Sequence, residues 1–158
     1  MNASAGTTIP AGRVAGVDYG RRRIGVAVCD AERIISSPLC VRHTTGDLAA
    51  DAAFFRTLSH EERLVGFVVG LPIHADGTDS AMSVEVERFG AWLGRITGLP
   101  VAFQDERYSS REAAGLLAGA GLTRGRKKER ADAVAAQVVL QSWLESQTRG
   151  ERPRALEG

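Results

Sequence analysis

Residues Gly16–Val28 read GVDYGRRRIGVAV, and this segment carries the strongest indication of the fold. Two apolar runs, Val14–Tyr19 and Ile24–Cys29, are separated by a glycine and three arginines, which predicts an antiparallel β-hairpin. Asp18 lies inside the first run, where a carboxylate loses much of its hydration unless a hydrogen-bond network, a cation or a metal compensates it. The segment therefore predicts both the start of a sheet and a nearby positive charge.

The rest of the chain predicts one more strand and then an alternation of helices and strands. Composition and spacing predict a strand over Ile34–Val41, a helix from Gly46 to about His60, a strand over Leu64–Leu71 ended by Pro72, a helix between Ser80 and Gly98, a short strand over Pro100–Gln104, a helix from Ser109 to about Ala118, and a last helix from near Asp132 to about Ser146. Three strands followed by this alternation predict an α/β fold with a mixed five-stranded sheet and helices on both faces.

Length and composition indicate one domain. The 158 residues suffice for a sizeable core, so we expect a flexible leader over 1–12, a single domain over 13–147 and a flexible tail over 148–158. No apolar run approaches the roughly 20 residues that span a bilayer, so no membrane partner is expected. Cys29 and Cys40 show no metal-ligand spacing, which favours free thiols in a reducing compartment and hence the cytoplasm.

Acidic residues stand at the ends of two predicted strands and on the last helix. Asp18 closes the first strand, and Asp105 and Glu106 follow the short fifth one. These carboxylates converge if the two strands run in the same direction, because sites gather at the carboxyl ends of parallel strands. Asp132 shares a helix stripe with apolar residues, so it is expected on the inner face. Clustered carboxylates repel one another, and Mg²⁺ or Mn²⁺ is the usual means of holding them together.

Each acidic position also has a purely structural interpretation. Asp132 is also explained by a helix N-cap, which needs only exposed backbone N–H groups. Asp18 is explained by an ion pair with one of the arginines at 21–23. The run Asp105–Arg107 is explained by a solvated turn that starts a helix. The sequence leaves these alternatives open.

The net charge is only +1, so attraction for nucleic acid has to come from local clusters of basic residues. The segment RGRKKER over Arg124–Arg130 holds five basic residues in seven positions and is expected to be a loop before the last helix. The glycines at 20 and 25 remove side chains where a phosphate backbone or a metal has to come near. The candidate nucleic-acid contacts are Arg21, Arg22, Arg23, Arg107, Ser109, Arg126, Lys127 and Lys128, with Gly20 and His74 as weaker candidates.

Four ordered segments resemble the YqgF/RuvX family of bacterial proteins, described as pre-16S rRNA nucleases and as Holliday junction resolvase-like. They are GVDYGRRRIGVAV, VVGLPIHADGTDS, DERYSSREA and ADAVAAQVVLQSWL, and they span about 14–144. The resemblance implies a ribonuclease H-like fold, trimming of the 5′ end of precursor 16S rRNA, and an acidic metal site. By position, the family's catalytic acids fall on Asp18, Glu106 and Asp132, and Asp105 is a further candidate metal ligand.

The resulting hypothesis is a divalent-metal-dependent phosphodiesterase that acts on structured RNA. In this hypothesis Asp18 bridges two ions roughly 4 Å apart, while Glu106 and Asp132 each hold one side. Branched DNA is the alternative substrate, and a second copy of the chain is a further candidate partner. The rival functions are a DNA junction resolvase and a non-catalytic RNA-binding or transcription factor. A nucleotide-binding kinase or ATPase needs two such lobes, for which the chain is too short.

Overall fold

The computed structural model describes the backbone of residues 7–72, 81–105 and 124–157, and the side chains of 7–72, 81–105 and 130–147. Its elements follow one another as β1 (Arg13–Asp18), β2 (Arg23–Cys29), β3 (Ser36–His43), α1 (Leu48–Glu61), β4 (Leu64–Leu71), α2 (Ala81–Thr97), β5 (Val101–Asp105) and α3 (Arg124–Glu157). The helix expected over 109–118 lies outside the described residues.

The five strands form a mixed sheet in the order β3-β2-β1-β4-β5. The hairpin strands β1 and β2 pair antiparallel, as do β2 and β3. By contrast, β1 pairs parallel with β4, and β4 pairs parallel with β5. The carboxyl ends of β1, β4 and β5 therefore meet at one edge of the sheet, with β1 in the centre.

Helices cover both faces of the sheet, and each face has its own apolar core. Alternate residues of the strands, such as Val17 and Phe67, pack with Phe55 of α1 and Leu93 of α2. The strand residues that point to the other side of the sheet, including Val14 and Val68, pack with α3. This arrangement confirms the predicted α/β class with a mixed five-stranded sheet between helices.

The long helix α3 approaches the sheet through glycines. A Cβ atom at Gly16 would lie 2.6 Å from the Leu140 Cβ, and one at Gly25 would lie 2.0 Å from the Asp132 carbonyl oxygen. The space left at Gly25 is thus filled by the α3 backbone, and not by a phosphate or a metal as expected from the sequence. At Gly20, a Cβ would lie 2.5 Å from the Arg23 carbonyl oxygen, so the turn itself requires glycine.

The third strand begins two residues later than expected. The Asp30 carboxylate accepts hydrogen bonds from the backbone N–H groups of Ile34 and Ile35 at 2.7 and 3.0 Å. These bonds extend the turn, so both isoleucines precede the strand and stand 66% and 67% exposed.

The ends of the chain also differ from expectation. Ile9, placed in the flexible leader, is only 7% exposed and packs into the α3-side core above Gly66. Helix α3 begins at Arg124 and continues to Glu157, so the basic segment is helical and the backbone of 148–157 continues the helix. The exact domain limits of 13–147 stay a prediction.

Within the described ranges, no helix is both long and apolar enough to cross a membrane. Cys29 and Cys40 are free thiols, as the sequence predicted.

Candidate active site

Asp18 ends the central strand, at the edge where the parallel strands finish. Side chains of a strand alternate between the two faces of a sheet, and Val14 and Gly16 face α3. The Asp18 carboxylate therefore lies on the α3 side as well. Asp18 is half-buried there. Its position at the end of a strand agrees with the expectation that Asp18 closes the first strand.

Asp132 reaches the same place from helix α3. Its backbone carbonyl lies over Gly25, and Gly25 is the residue paired with Asp18 across the hairpin. Because α3 begins at Arg124, Asp132 lies two turns inside the helix and is not its N-cap. The structure thus excludes the capping interpretation and brings Asp18 and Asp132 together.

Arg23 begins β2 of the hairpin, and its side chain reaches α3. Its Nε donates to the Asp132 Oδ2 at 2.6 Å, and the two side chains are 37% and 24% exposed. Arg21 instead forms an ion pair with Glu85 of α2. Arg21 and Arg23 therefore pair with two different carboxylates on opposite faces of the sheet.

The electrostatics of Asp18 reflect this crowding of negative charge. Burial raises the pKa of the Asp18 carboxyl from its ordinary 3.8 to about 6, and the negative charge of Asp132 adds to the increase. Both causes disfavour the ionised form, and a nearby cation would oppose them by favouring the carboxylate.

The two carboxylates fit a divalent cation. Carboxylate oxygens are the ligands that Mg²⁺ and Mn²⁺ prefer, and a repelling pair of them is relieved by a double positive charge. Among the described residues, no group of three or more His, Cys, Asp and Glu side chains lies together. Asp18 and Asp132 thus form a pair to which further ligands would have to come from elsewhere.

Asp105 does not join this pair. It ends β5, and β4 separates β5 from β1, so the two strand axes are about 10 Å apart. Along β5, Asp105 points to the same side as Phe103, which packs on Gly90 of α2. Ala102 points to the other side, into the α3-side core. Strand alternation therefore places Asp105 on the face opposite to Asp18. Parallel strand ends do meet as expected, but this acid is on the wrong face.

The basic segment lies beyond the same sheet edge. Asp132 is level with the end of β1, and α3 runs from there toward Gly16 and the opposite edge. The eight helical residues 124–131 extend the other way, over about 12 Å. The backbone of Arg126, Lys127 and Lys128 belongs to this extension, while their side chains lie outside the description.

Four predicted site residues lie outside the part of the chain that the structure describes, namely Glu106, Arg107, Ser109 and His74. Of the remaining candidates, Arg22 is exposed in the hairpin turn.

Sequence reasoning missed one polar cluster at this edge. The Tyr19 hydroxyl donates to the Glu85 Oε2 at 2.8 Å, and the Arg21 Nε donates to the Glu85 Oε1 at 3.0 Å. The hydrogen bond from Tyr19, followed by that from Arg21, holds the pKa of Glu85 below its usual range. Glu85 lies within the amphipathic pattern of α2 and has no sequence signal that distinguishes it from a solvated helix residue.

Comparison with protein families gives a match over nearly all of the described sheet and its helices. A family model described as RuvX, a Holliday junction resolvase, matches residues 12–146. A protein of Rhodopirellula baltica is 48% identical over 141 residues, which cover 89% of this chain and 81% of the relative. A protein of Sphingopyxis alaskensis is 37% identical over 140 residues, which cover 87% of this chain and 90% of the relative. Both carry the name "Putative pre-16S rRNA nuclease".

Solved structures show the same fold. T. thermophilus RuvC in complex with a Holliday junction substrate is 19% identical and superimposes with a TM-score of 0.55, over 87% of this chain and 96% of that one. The yeast mitochondrial Holliday junction resolvase Ydc2 is 11% identical, with a TM-score of 0.51 over 99% of this chain and 88% of that one. This likeness confirms the ribonuclease H-like fold class.

Proposed function

This chain belongs to the RuvX family, and from that premise we propose that it is a nuclease that processes the 5′ end of precursor 16S rRNA. The curated relatives carry the name of that activity, and their sequences cover most of both chains. We place the reaction in the cytoplasm, because the two free thiols favour a reducing compartment.

The observation that carries the proposal is the meeting of Asp18 and Asp132 on one face of the sheet edge. These two carboxylates would hold Mg²⁺ or Mn²⁺. When bound, the cation supplies Lewis-acid chemistry that activates water and stabilises charge on phosphoryl oxygens. Arg23 orients Asp132 through its 2.6 Å hydrogen bond.

Glu106 is the candidate third ligand. Gln104 is the last residue of β5 that alternates onto the α3 side of the sheet. In the sequence, Glu106 is the next residue of that alternation. Asp105 is left out of the proposed ligand set because it lies on the opposite face.

Basic residues would hold the RNA backbone. The helical extension at 124–131 carries Arg126, Lys127 and Lys128 past the edge where Asp18 ends its strand. Together with Arg22 of the hairpin, and with Arg107 and Ser109, this extension would hold successive phosphates, and affinity would fall steeply as salt rises.

The test compares cleavage of a precursor 16S rRNA fragment by the wild type and three variants in Mn²⁺. We expect Asp18→Asn and Asp132→Asn to lower the rate by at least about 100-fold, since the cation supplies several kcal/mol of transition-state stabilisation. Asp105→Asn is the matched control at the same sheet edge and should retain activity. Unchanged cleavage by Asp18→Asn would exclude the proposed mechanism.

A second readout does not depend on turnover. Mg²⁺ should raise the thermal midpoint of the wild type and of Asp105→Asn, but not that of Asp18→Asn or Asp132→Asn. RNA binding without any metal-dependent shift or cleavage would instead indicate a non-catalytic RNA-binding factor.

DNA is the second candidate substrate, because the matching family model is described as a Holliday junction resolvase. Assays on the rRNA fragment and on a four-way DNA junction, run side by side, distinguish the two. Preferential cleavage of the junction would assign the chain to DNA.

A further inference from the structure

A cavity of about 360 Å³ opens on the side of the sheet opposite to Asp18 and Asp132. It lies at the carboxyl end of β1, between the hairpin, α1 and α2, and the proposed catalysis does not use it. Its size falls within the range of ordinary ligand pockets. Its interior is apolar and mainly aromatic, lined by Ile24, Phe55, Phe89 and Trp92.

The aromatic rings form a continuous cluster beneath this opening. The Tyr19 and Phe89 ring centroids are 4.6 Å apart, and those of Phe89 and Trp92 are 5.8 Å apart. Phe89 is buried and Trp92 is half-buried, so part of the cluster faces the cavity. The accessible part of the cluster is formed by Tyr19 and Trp92, which are half-buried. Accessible aromatic rings are the platforms on which unpaired bases stack.

The rim of the cavity carries two acidic residues, and each of them pairs with an arginine. Glu85 pairs with Arg21 at 3.0 Å, and Asp51 pairs with Arg42 at 3.0 Å. Arg88 is exposed at the rim, and no ion pair is recorded for it within the described part of the chain. An apolar interior beneath the exposed guanidinium of Arg88 matches a ligand with one flat apolar group and one negative charge.

We infer that this cavity binds one nucleotide of a single-stranded RNA segment, with its base on the aromatic cluster and its phosphate at Arg88. The inference rests on the proposed function and adds a substrate subsite to it. Asp18 and Tyr19 are consecutive and lie on opposite faces of the same sheet edge. An RNA strand that crosses this edge would therefore have one phosphate on the Asp18 side and a neighbouring base at the cavity.

The first test is a titration of the wild type with a short oligouridylate in EDTA, followed by NMR of tryptophan indole groups. The chain has two tryptophans, so Trp143, which belongs to α3 and is buried in the core on that side of the sheet, serves as an internal control. The oligouridylate should shift the Trp92 indole resonance and leave that of Trp143 unchanged. An equal shift with an RNA duplex, or none with the oligouridylate, would overturn the inference.

The second test measures RNA affinity of surface variants, again without metal. Arg88→Gln should weaken binding several-fold and reduce the slope of log K against log salt by about 0.7, the value for one phosphate on a single strand. Arg95→Gln, an exposed arginine of the same helix that does not line the cavity, is its matched control. Equal effects of the two variants would contradict a phosphate site at Arg88.

The cavity mouth offers a further matched pair. Leu48 is 67% exposed at the cavity and Ile34 is 66% exposed at a distant turn. Leu48→Glu should reduce affinity about tenfold by placing a negative charge beside the nucleotide, whereas Ile34→Glu should not. Neither position belongs to the core, so both variants should fold.

The outcomes separate this inference from the proposed function. If cleavage depends on Asp18 but Arg88→Gln and Leu48→Glu bind RNA as tightly as the wild type, nucleotide binding in the cavity is rejected and the proposed function is retained. Absence of RNA binding by the wild type would reject both.

Discussion

At the scale of single residues, the decisive feature is the unfavourable environment of Asp18. Its carboxylate is half-buried and close to Asp132, and burial is the larger cause of its raised pKa. Arg23 forms its recorded ion pair with Asp132. The pair of acids therefore costs folding free energy in the absence of a cation, as functional carboxylates often do.

Replacement of Asp18 by asparagine should stabilise the metal-free protein at neutral and higher pH. The native pKa of about 6 lies above the ordinary 3.8, so the native state binds the proton more tightly, and ionisation destabilises it as pH rises through this window. The gain from Asp18→Asn is at most about 3 kcal/mol above pH 6 and vanishes below about pH 4.

Urea unfolding of both proteins in EDTA across this pH range measures the difference. Asp47→Asn is a useful control, because Asp47 caps α1 with its side chain and is exposed, so its substitution should not stabilise the protein at high pH. A gain from Asp18→Asn that is independent of pH would contradict the assigned pKa.

At the scale of elements, the site depends on how closely α3 approaches the hairpin. Gly16 and Gly25 allow the helix backbone to contact β1 and β2, and Gln137 and Ser36 tie the helix to β3 by a 3.0 Å hydrogen bond. This contact sets Asp132 level with Asp18. A helix displaced by one methyl group would separate the two carboxylates.

Gly25→Ala should destabilise the protein by about 2 kcal/mol or more, because its Cβ would lie 2.0 Å from the Asp132 carbonyl oxygen. The variant should also lose the Mg²⁺-dependent rise in thermal midpoint, since the helix has to move away. Thermal unfolding with and without Mg²⁺ measures both effects.

Gly94→Ala is the matched control for this substitution. A Cβ at Gly94, inside α2, would meet its nearest neighbours at 3.5 and 3.6 Å, which is ordinary contact. Helix propensity then favours alanine by up to about 1 kcal/mol. A loss at Gly94→Ala as large as that at Gly25→Ala would contradict the close approach of α3 as the cause.

At the scale of the whole molecule, the sheet separates two cores and two surfaces with different chemistry. The α3 side carries the proposed catalytic carboxylates, and the α1–α2 side carries the aromatic cavity. The α3-side core also extends to the segment before β1 through Ile9. That segment is therefore part of the folded unit.

Ile9→Ala should lower the free energy of unfolding by about 2–4 kcal/mol, the usual cost of removing a buried isoleucine side chain. Ile34→Ala is the matched control, because the same substitution at a 66% exposed position should change stability by less than about 0.5 kcal/mol. Chemical denaturation of both variants measures the difference. Equal stability of the Ile9→Ala and Ile34→Ala variants would instead indicate that residues 7–12 are a flexible leader.

The strands, the first two helices and the fold class could be read from the sequence because they depend on local patterns. The apolar runs around Asp18 and over Leu64–Leu71 have the composition of buried strands, and the observed bounds of β4 agree with the expected ones. The four ordered segments also identified the family correctly. Errors arose where side chains made the local structure, as where Asp30 extends the turn before β3.

Which acids share a site was decided by packing between distant parts of the chain. Asp18 and Asp132 are 114 positions apart in the printed sequence and meet because Gly25 admits the α3 backbone. Asp105 looked equivalent in the sequence, but the parity of β5 turns it to the other face, with β4 between it and Asp18. The aromatic cavity likewise forms only when α1, α2 and the hairpin assemble, because its lining residues carry no common local pattern.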